Sequence, residues 1–128
     1  MRAVIFDKAG DESVLRVAEL PSPELTNNGV RIAVDAAGVN RADLLQRRGF
    51  YPPPEGASPI LGLECSGRVL ETGRNATRFK EGQRVMALLA GGGYAEEVVA
   101  PEACVMATPS GLTDLQAAAF PETFATSY

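Results

Sequence analysis

Glycine and proline punctuate this chain along its whole length, 13 of one and nine of the other among 128 residues. Average proteins hold roughly 12% of the two together, and this chain holds clearly more. Glycine loses entropy inside regular elements and proline lacks the N–H that helices and central strands need. Yet 45% of the residues are apolar and 22% charged, so the chain can bury a core and disorder is excluded. Dense punctuation in a core-forming chain points to many turns between short strands. The length normally means one domain.

The local patterns agree. Residues 2–6 (RAVIF) and 14–20 (VLRVAEL) read as short strands, divided by a turn at residues 8–11 and closed by Pro21-Ser22-Pro23. Residues 30–37 (VRIAVDAA) alternate, with Val30, Ile32 and Val34 on one face and Arg31 and Asp35 on the other, the mark of a half-buried strand. Residues 40–49 read as a short helix. Asn40 can accept from the first free N–H groups, Asp43 suits the positive end, Arg47 and Arg48 the negative end, and Gly49 the left-handed closing position. Tyr51-Pro52-Pro53-Pro54 then forms a rigid extended loop.

Residues 60–70 (ILGLECSGRVL) carry Gly62 and Gly67 inside an apolar run, as a strand does where it bends or admits another backbone. Strands are further expected at 84–89, 94–100 and 104–107. Thr113-Asp114-Leu115-Gln116 has capping-box spacing before an alanine run, and Pro121 kinks that helix or begins another. The chain reaches Tyr128 within a helical pattern, which is abrupt for an autonomous domain. The fold expected is mainly β: a partly open barrel with two or three short helices.

Composition also excludes functions. The chain has no histidine, so no Ser–His–Asp or Cys–His nucleophile and no His-ligated metal can be built within it. The net charge is −4 without any long basic block, which argues against nucleic acid as partner. No apolar run reaches membrane-spanning length, and the first residues are no signal peptide. Cys65 and Cys104 could pair on parity, but two isolated thiols fit a reducing cytoplasm better.

Three strings in fixed order carry a family resemblance: Gly38-Val39-Asn40-Arg41-Ala42-Asp43, Gly62-Leu63-Glu64-Cys65-Ser66-Gly67, and Phe79-Lys80-Glu81-Gly82-Gln83-Arg84-Val85. The whole chain resembles the N-terminal, GroES-like catalytic portion of the medium-chain dehydrogenase/reductase superfamily. With its run NRADLLQRRGFYPPP it is most similar to the zinc-independent, NADPH-dependent quinone oxidoreductases. The resemblance implies hydride transfer from NADPH to a quinone, enone or similar activated small molecule. An enoyl-thioester reductase shares the scaffold and is the rival within enzymes; a stand-alone GroES-like interaction module is the rival outside them. Zinc alcohol dehydrogenases place Cys where Asn40 stands and His where Leu63 stands, and add a four-cysteine lobe absent here, so no metal is expected. The superfamily's Rossmann domain, which holds most of the coenzyme, is absent from residues 1–128. Without the returning segment that completes the catalytic domain, self-association into a homo-oligomer is expected.

By that resemblance Asn40 faces nicotinamide and substrate, Tyr51 lines the acceptor pocket, and Thr126 contacts the nicotinamide. Each has a plainer reading: a helix cap for Asn40, a surface aromatic for Tyr51, a helix hydroxyl bonding to the previous turn for Thr126. Gly91-Gly92-Gly93 joins two strands with no helix after it, which makes it a poor phosphate loop. Arg41, Arg47 and Arg48 read as a solvated face, and Cys65, Met86 and Met106 as core filler. Glu64, if buried, needs a partner, either Arg84 or a backbone amide.

Overall fold

Two short strands, β1 (Arg2–Ile5) and β2 (Arg16–Glu19), pair antiparallel where the N-terminal patterns place them. The computed structural model describes residues 1–127. The alternating segment forms β3 (Gly29–Ala37), followed by α1 (Arg41–Arg48), β4 (Glu64–Thr72), β5 (Arg84–Leu88), β6 (Glu97–Pro101) and β7 (Val105–Ala107). Two helices, α2 (Asp114–Ala118) and α3 (Pro121–Ser127), complete the described chain. Strands β6-β3-β4-β5-β7 make one sheet in that order, with every neighbouring pair antiparallel. A lone bridge between Ala3 and Ala95, with Val4 N–H donating to the Tyr94 carbonyl at 2.9 Å, ties the β1–β2 pair to the run entering β6.

The sheet curls because its longest pair is irregular. Register slips between Arg31 and Ile32, and between Val34 and Ala36, opposite β4. Such bulges increase local twist. Gly67 lies beside the second slip, where a Cβ would come within 1.9 Å of the Ala33 carbonyl oxygen. Only glycine permits that approach. The curled sheet encloses Val30, Ile32, Cys65, Val69, Val85 and Val105, each at most 1% exposed. Every such side chain contributes about 1.5–3 kcal/mol when fully buried. The result is the expected mainly β fold, a curled half-barrel with three short helices.

Several boundaries differ from the sequence pattern. Residues 60–63 are not a strand, although Leu61 and Leu63 are buried. They dock against the glycine loop: Gly92 N–H donates to the Ile60 carbonyl at 2.8 Å, Tyr94 N–H to Leu61 at 2.9 Å, and Gly93 N–H to Gly62 at 3.2 Å. Gly62 has φ +112°, and a Cβ there would sit 2.6 Å from Gly93 Cα. The strand expected at 94–100 begins at Glu97: before it, the Tyr94 carbonyl accepts from Val4 N–H and Glu96 N–H donates to the Arg2 carbonyl, although the Glu96 carbonyl still accepts from Val34 of β3. Arg47 is 7% exposed rather than solvated, and its Nε donates to the Gly10 carbonyl at 3.2 Å. Met106 is 36% exposed and is not core filler, whereas Met86 is buried.

Candidate functional site

Helix α1 starts as its sequence dictates. Asn40 takes an extended N-cap conformation, and Gly49 closes the helix in the left-handed region at φ 88°. Asn40 and Asp43 form a reciprocal capping box. The Asp43 carboxylate accepts from Asn40 N–H at 3.0 Å. The Asn40 side-chain oxygen faces the Asp43 N–H, whose own hydrogen bond runs to the Asn40 main-chain carbonyl at 3.0 Å. The other end of the Asn40 amide leaves the helix altogether. Its Nδ2 donates to Glu64 Oε1 at 3.0 Å. Asn40 is thus more than a cap: its amide bridges α1 to β4.

Glu64 opens β4 and is 1% exposed. Its second oxygen, Oε2, accepts from Glu122 N–H in the first turn of α3 at 2.7 Å, and Thr123 Oγ1 stands 3.5 Å from Oε1. The backbone amide is therefore the partner of the buried carboxylate. Arg84 is not, because its guanidinium donates to Asp114 Oδ1 at 2.8 and 3.0 Å and to the Leu112 carbonyl at 2.9 Å. Gly38 makes room for Glu64: a Cβ there would lie 2.1 Å from Oε1.

Behind Asn40, Tyr94 donates its hydroxyl to Asp43 Oδ2 at 2.7 Å. Asp43 is 1% exposed, and its Oδ1 has no partner among the described residues. Burial, reinforced by the bond to Asp43, pushes the Tyr94 phenol well above its ordinary 10.0. The phenol is held as a neutral donor. Sequence reasoning misses this pair, since it gives Asp43 to the helix dipole and Tyr94 to the start of a strand. The spacing from Asn40 to Asp43 is the available signal for half of it.

The sequence-selected residues fall as follows. Thr126 lies one turn beyond Glu122 on α3, exposed, with Oγ1 donating to Glu122 Oε1 at 3.0 Å. Tyr51 is 39% exposed on the loop after α1, and its hydroxyl has no hydrogen-bond partner among the described residues. Glu64 brings Asn40 and the helix bearing Thr126 together; no hydrogen bond among the described residues joins Tyr51 to them. An apolar cavity of about 830 Å³ opens instead on another side, between residues 54–60, residues 89–92 and β6, and none of the three lines it.

These residues do not fit a metal ion. Among the described residues no three His, Cys, Asp or Glu side chains gather as a ligand set. At this corner Leu63 is apolar and the Glu64 carboxylate is already bonded to amides. Nor do they cradle a phosphate, since the Gly92, Gly93 and Tyr94 N–H groups are consumed by residues 60–62. The Asn40 side chain is half-buried and Thr126 is exposed. Both cysteines are free. Burial, with the Glu64 charge adding to it, pushes the Cys65 thiol up to about 12, so it is inert. Among the described residues no helix is long and apolar enough to cross a membrane.

The family profile described as "Alcohol dehydrogenase GroES-like domain" matches residues 26–110. The chain belongs to that family. This GroES-like chain is 35% identical to the quinone oxidoreductase-like protein 2 homolog of Nematostella vectensis, over 99% of the chain and 35% of the relative. The crystal structure of the human synaptic vesicle membrane protein VAT-1 homolog-like protein superposes with a TM-score of 0.91 at 35% identity, over 100% of this chain and 41% of that one. The Escherichia coli quinone oxidoreductase complexed with NADPH gives a TM-score of 0.85 at 30% identity, over 94% of this chain and 37% of that one. The GroES-like chain spans about a third of the length of the curated relatives it matches. It corresponds to the N-terminal portion of medium-chain dehydrogenase/reductase proteins.

Proposed function

We propose that this GroES-like chain forms the acceptor-facing, catalytic-domain portion of an NADPH-dependent, zinc-free quinone oxidoreductase of the cytoplasm. The observation that carries this reading is the Asn40 amide, anchored to a buried carboxylate at the position where zinc enzymes of the superfamily carry a cysteine ligand. When bound, the reduced nicotinamide supplies the hydride. Asn40 and Thr126 hold its ring end, and Tyr51 lines the space for the acceptor. Its phenol, without a hydrogen-bond partner among the described residues, can stack on a quinone ring and donate to a carbonyl oxygen. Positioning then contributes most of the rate enhancement. In this reading the coenzyme's phosphates sit outside these residues, a placement supported by the Gly92, Gly93 and Tyr94 N–H groups all being taken by residues 60–62.

The test is turnover by the protein made from its complete reading frame. NADPH oxidation with ortho-quinones is expected, and Tyr51→Phe should raise the quinone KM with little change in stability. Turnover of enoyl thioesters with inert quinones would overturn the assignment. Residues 1–128 alone are expected to bind NADPH weakly or not at all, and micromolar binding would show that the coenzyme's seat lies within them.

A further inference from the structure

Among the described residues Glu64 is the one side chain hydrogen-bonded to both elements bearing the proposed coenzyme contacts. Its Oε1 accepts from Asn40 Nδ2 at 3.0 Å, at the start of α1, and its Oε2 from Glu122 N–H at 2.7 Å, in the first turn of α3. We infer that Glu64 is a positioning residue, whose paired acceptors fix the Asn40 amide so that one Nδ2–H is left to donate to a carbonyl oxygen of the ligand. The inference rests on the reading that Asn40 faces coenzyme and acceptor.

The orientation follows from counting donors and acceptors. The Asn40 side-chain oxygen faces the Asp43 N–H, and the nitrogen faces a carboxylate, which only accepts. Flipping the amide would set a donor against a donor on one side and an acceptor against an acceptor on the other. Of the two Nδ2 hydrogens, one goes to Glu64; the other has no partner among the described residues, on a side chain that is half-buried. A donor held this way suits a carbonyl oxygen, whether in the coenzyme carboxamide or in the acceptor.

A neutral isostere cannot do the same work. In Glu64→Gln, one oxygen and one NH2 must meet two donors, Glu122 N–H and Asn40 Nδ2. If Asn40 flips to relieve this, its NH2 meets the Asp43 N–H. Every arrangement leaves one buried donor facing another, which costs the desolvation of an unmade bond. The reciprocal swap, Glu64→Gln with Asn40→Asp, restores a donor–acceptor match between positions 40 and 64 and at Glu122 N–H. The introduced amide accepts from Glu122 N–H and donates to the introduced carboxylate, whose other oxygen faces the Asp43 N–H. That double variant has no N–H to offer the ligand.

The full-length protein and both variants are to be compared by urea midpoint, by the side-chain amide signal of Asn40 in 15N NMR, by NADPH titration, and by kcat and KM for an ortho-quinone. E64Q is expected to lower the midpoint, alter the Asn40 amide signal and reduce kcat/KM about tenfold or more. The double swap is expected to regain the wild-type midpoint while kcat/KM stays down by about tenfold or more. A loss confined to NADPH affinity identifies the coenzyme carboxamide as the carbonyl held, and a loss confined to the quinone's kinetics identifies the acceptor; either supports the inference. Recovery of stability and turnover together in the double swap would overturn it. So would an unchanged Asn40 signal in E64Q, or a double swap that does not fold. If the unmutated protein neither binds NADPH nor reduces quinones, while E64Q still alters the Asn40 signal, the underlying functional reading fails and the inference falls with it.

Discussion

Replacing Gly38 with alanine tests the buried corner from its least obvious side. A Cβ at that position would lie 2.1 Å from Glu64 Oε1, 2.6 Å from Cδ and 2.7 Å from Cγ. Gly38 is not among the residues with positive φ, so alanine brings no backbone strain of its own. The whole cost therefore falls on Glu64, whose three atoms must withdraw by about 0.8–1.4 Å to reach ordinary van der Waals distance. It is 1% exposed and cannot swing into water. Withdrawal gives up its bonds from Asn40 Nδ2 and Glu122 N–H. Hydrogen bonds to a charged group contribute about 1.5–3 kcal/mol each, so the two together come to about 3–6 kcal/mol. Alanine's smaller unfolded-state entropy returns about 0.4–1 kcal/mol of this. A typical domain has about 5–15 kcal/mol in all. Equilibrium urea unfolding should show a large fall in midpoint at unchanged slope. In a Glu64→Ala background the steric conflict is gone, and the same substitution should cost less than about 1 kcal/mol. An equal loss in both backgrounds would refute the reasoning, as would a loss below about 1 kcal/mol in the unmutated one.

Two other outcomes follow from the same packing. The Cys65 thiol is pushed from 9.0 up to about 12 by burial, so between those values the unfolded chain sheds a proton that the folded chain keeps. Stability must then fall as pH rises through that window, and Cys65→Ala should lessen the loss seen in urea midpoints between about pH 8 and 11; equal losses would refute the assignment. Tyr94, raised above 10.0, adds to the loss in the same direction, so the variant should not abolish it. Tyr94→Phe removes the donor to Asp43 Oδ2 and leaves a 1% exposed carboxylate with, among the described residues, only the Asn40 N–H. The expected cost is about 1.5–3 kcal/mol in urea unfolding, and a neutral result would show that Asp43 finds another donor.

What can be read in the sequence is set by how far apart the interacting groups lie. Helix α1 is legible because its determinants are its own residues: Asn40, Asp43 and Gly49 act within a turn of where they stand. The capping box of Thr113 and Gln116 is legible for the same reason. Strand β3 is legible because alternation reports burial directly, and Val30 and Ile32 are fully buried. Residues 60–63 mislead because an apolar run does not disclose what it packs against, here a glycine loop about 30 residues on. Gly62 announces a close backbone approach, though not its partner. Arg47 misleads because its charge reaches back 37 residues to the Gly10 carbonyl while its stem is buried. Glu64 is recognisable as needing a partner, but Arg84 and Glu122 cannot be told apart until the fold places α3 against β4, 58 residues away.

That last ambiguity has a physical root. A buried carboxylate costs several kcal/mol in lost hydration, so it persists only where donors are fixed around it. Arginine would neutralise the charge but bring its own desolvation and a long, mobile stem. Backbone and side-chain amides cost less to desolvate than an ion, and they belong to elements that the sheet already holds. Glu64 therefore draws the starts of α1 and α3 onto β4 with the same two bonds that orient Asn40. Folding and positioning are carried by one set of contacts, so simple deletion at Glu64 weakens both at once. They come apart only when donors and acceptors are exchanged in pairs, which keeps the bonds and changes what position 40 presents.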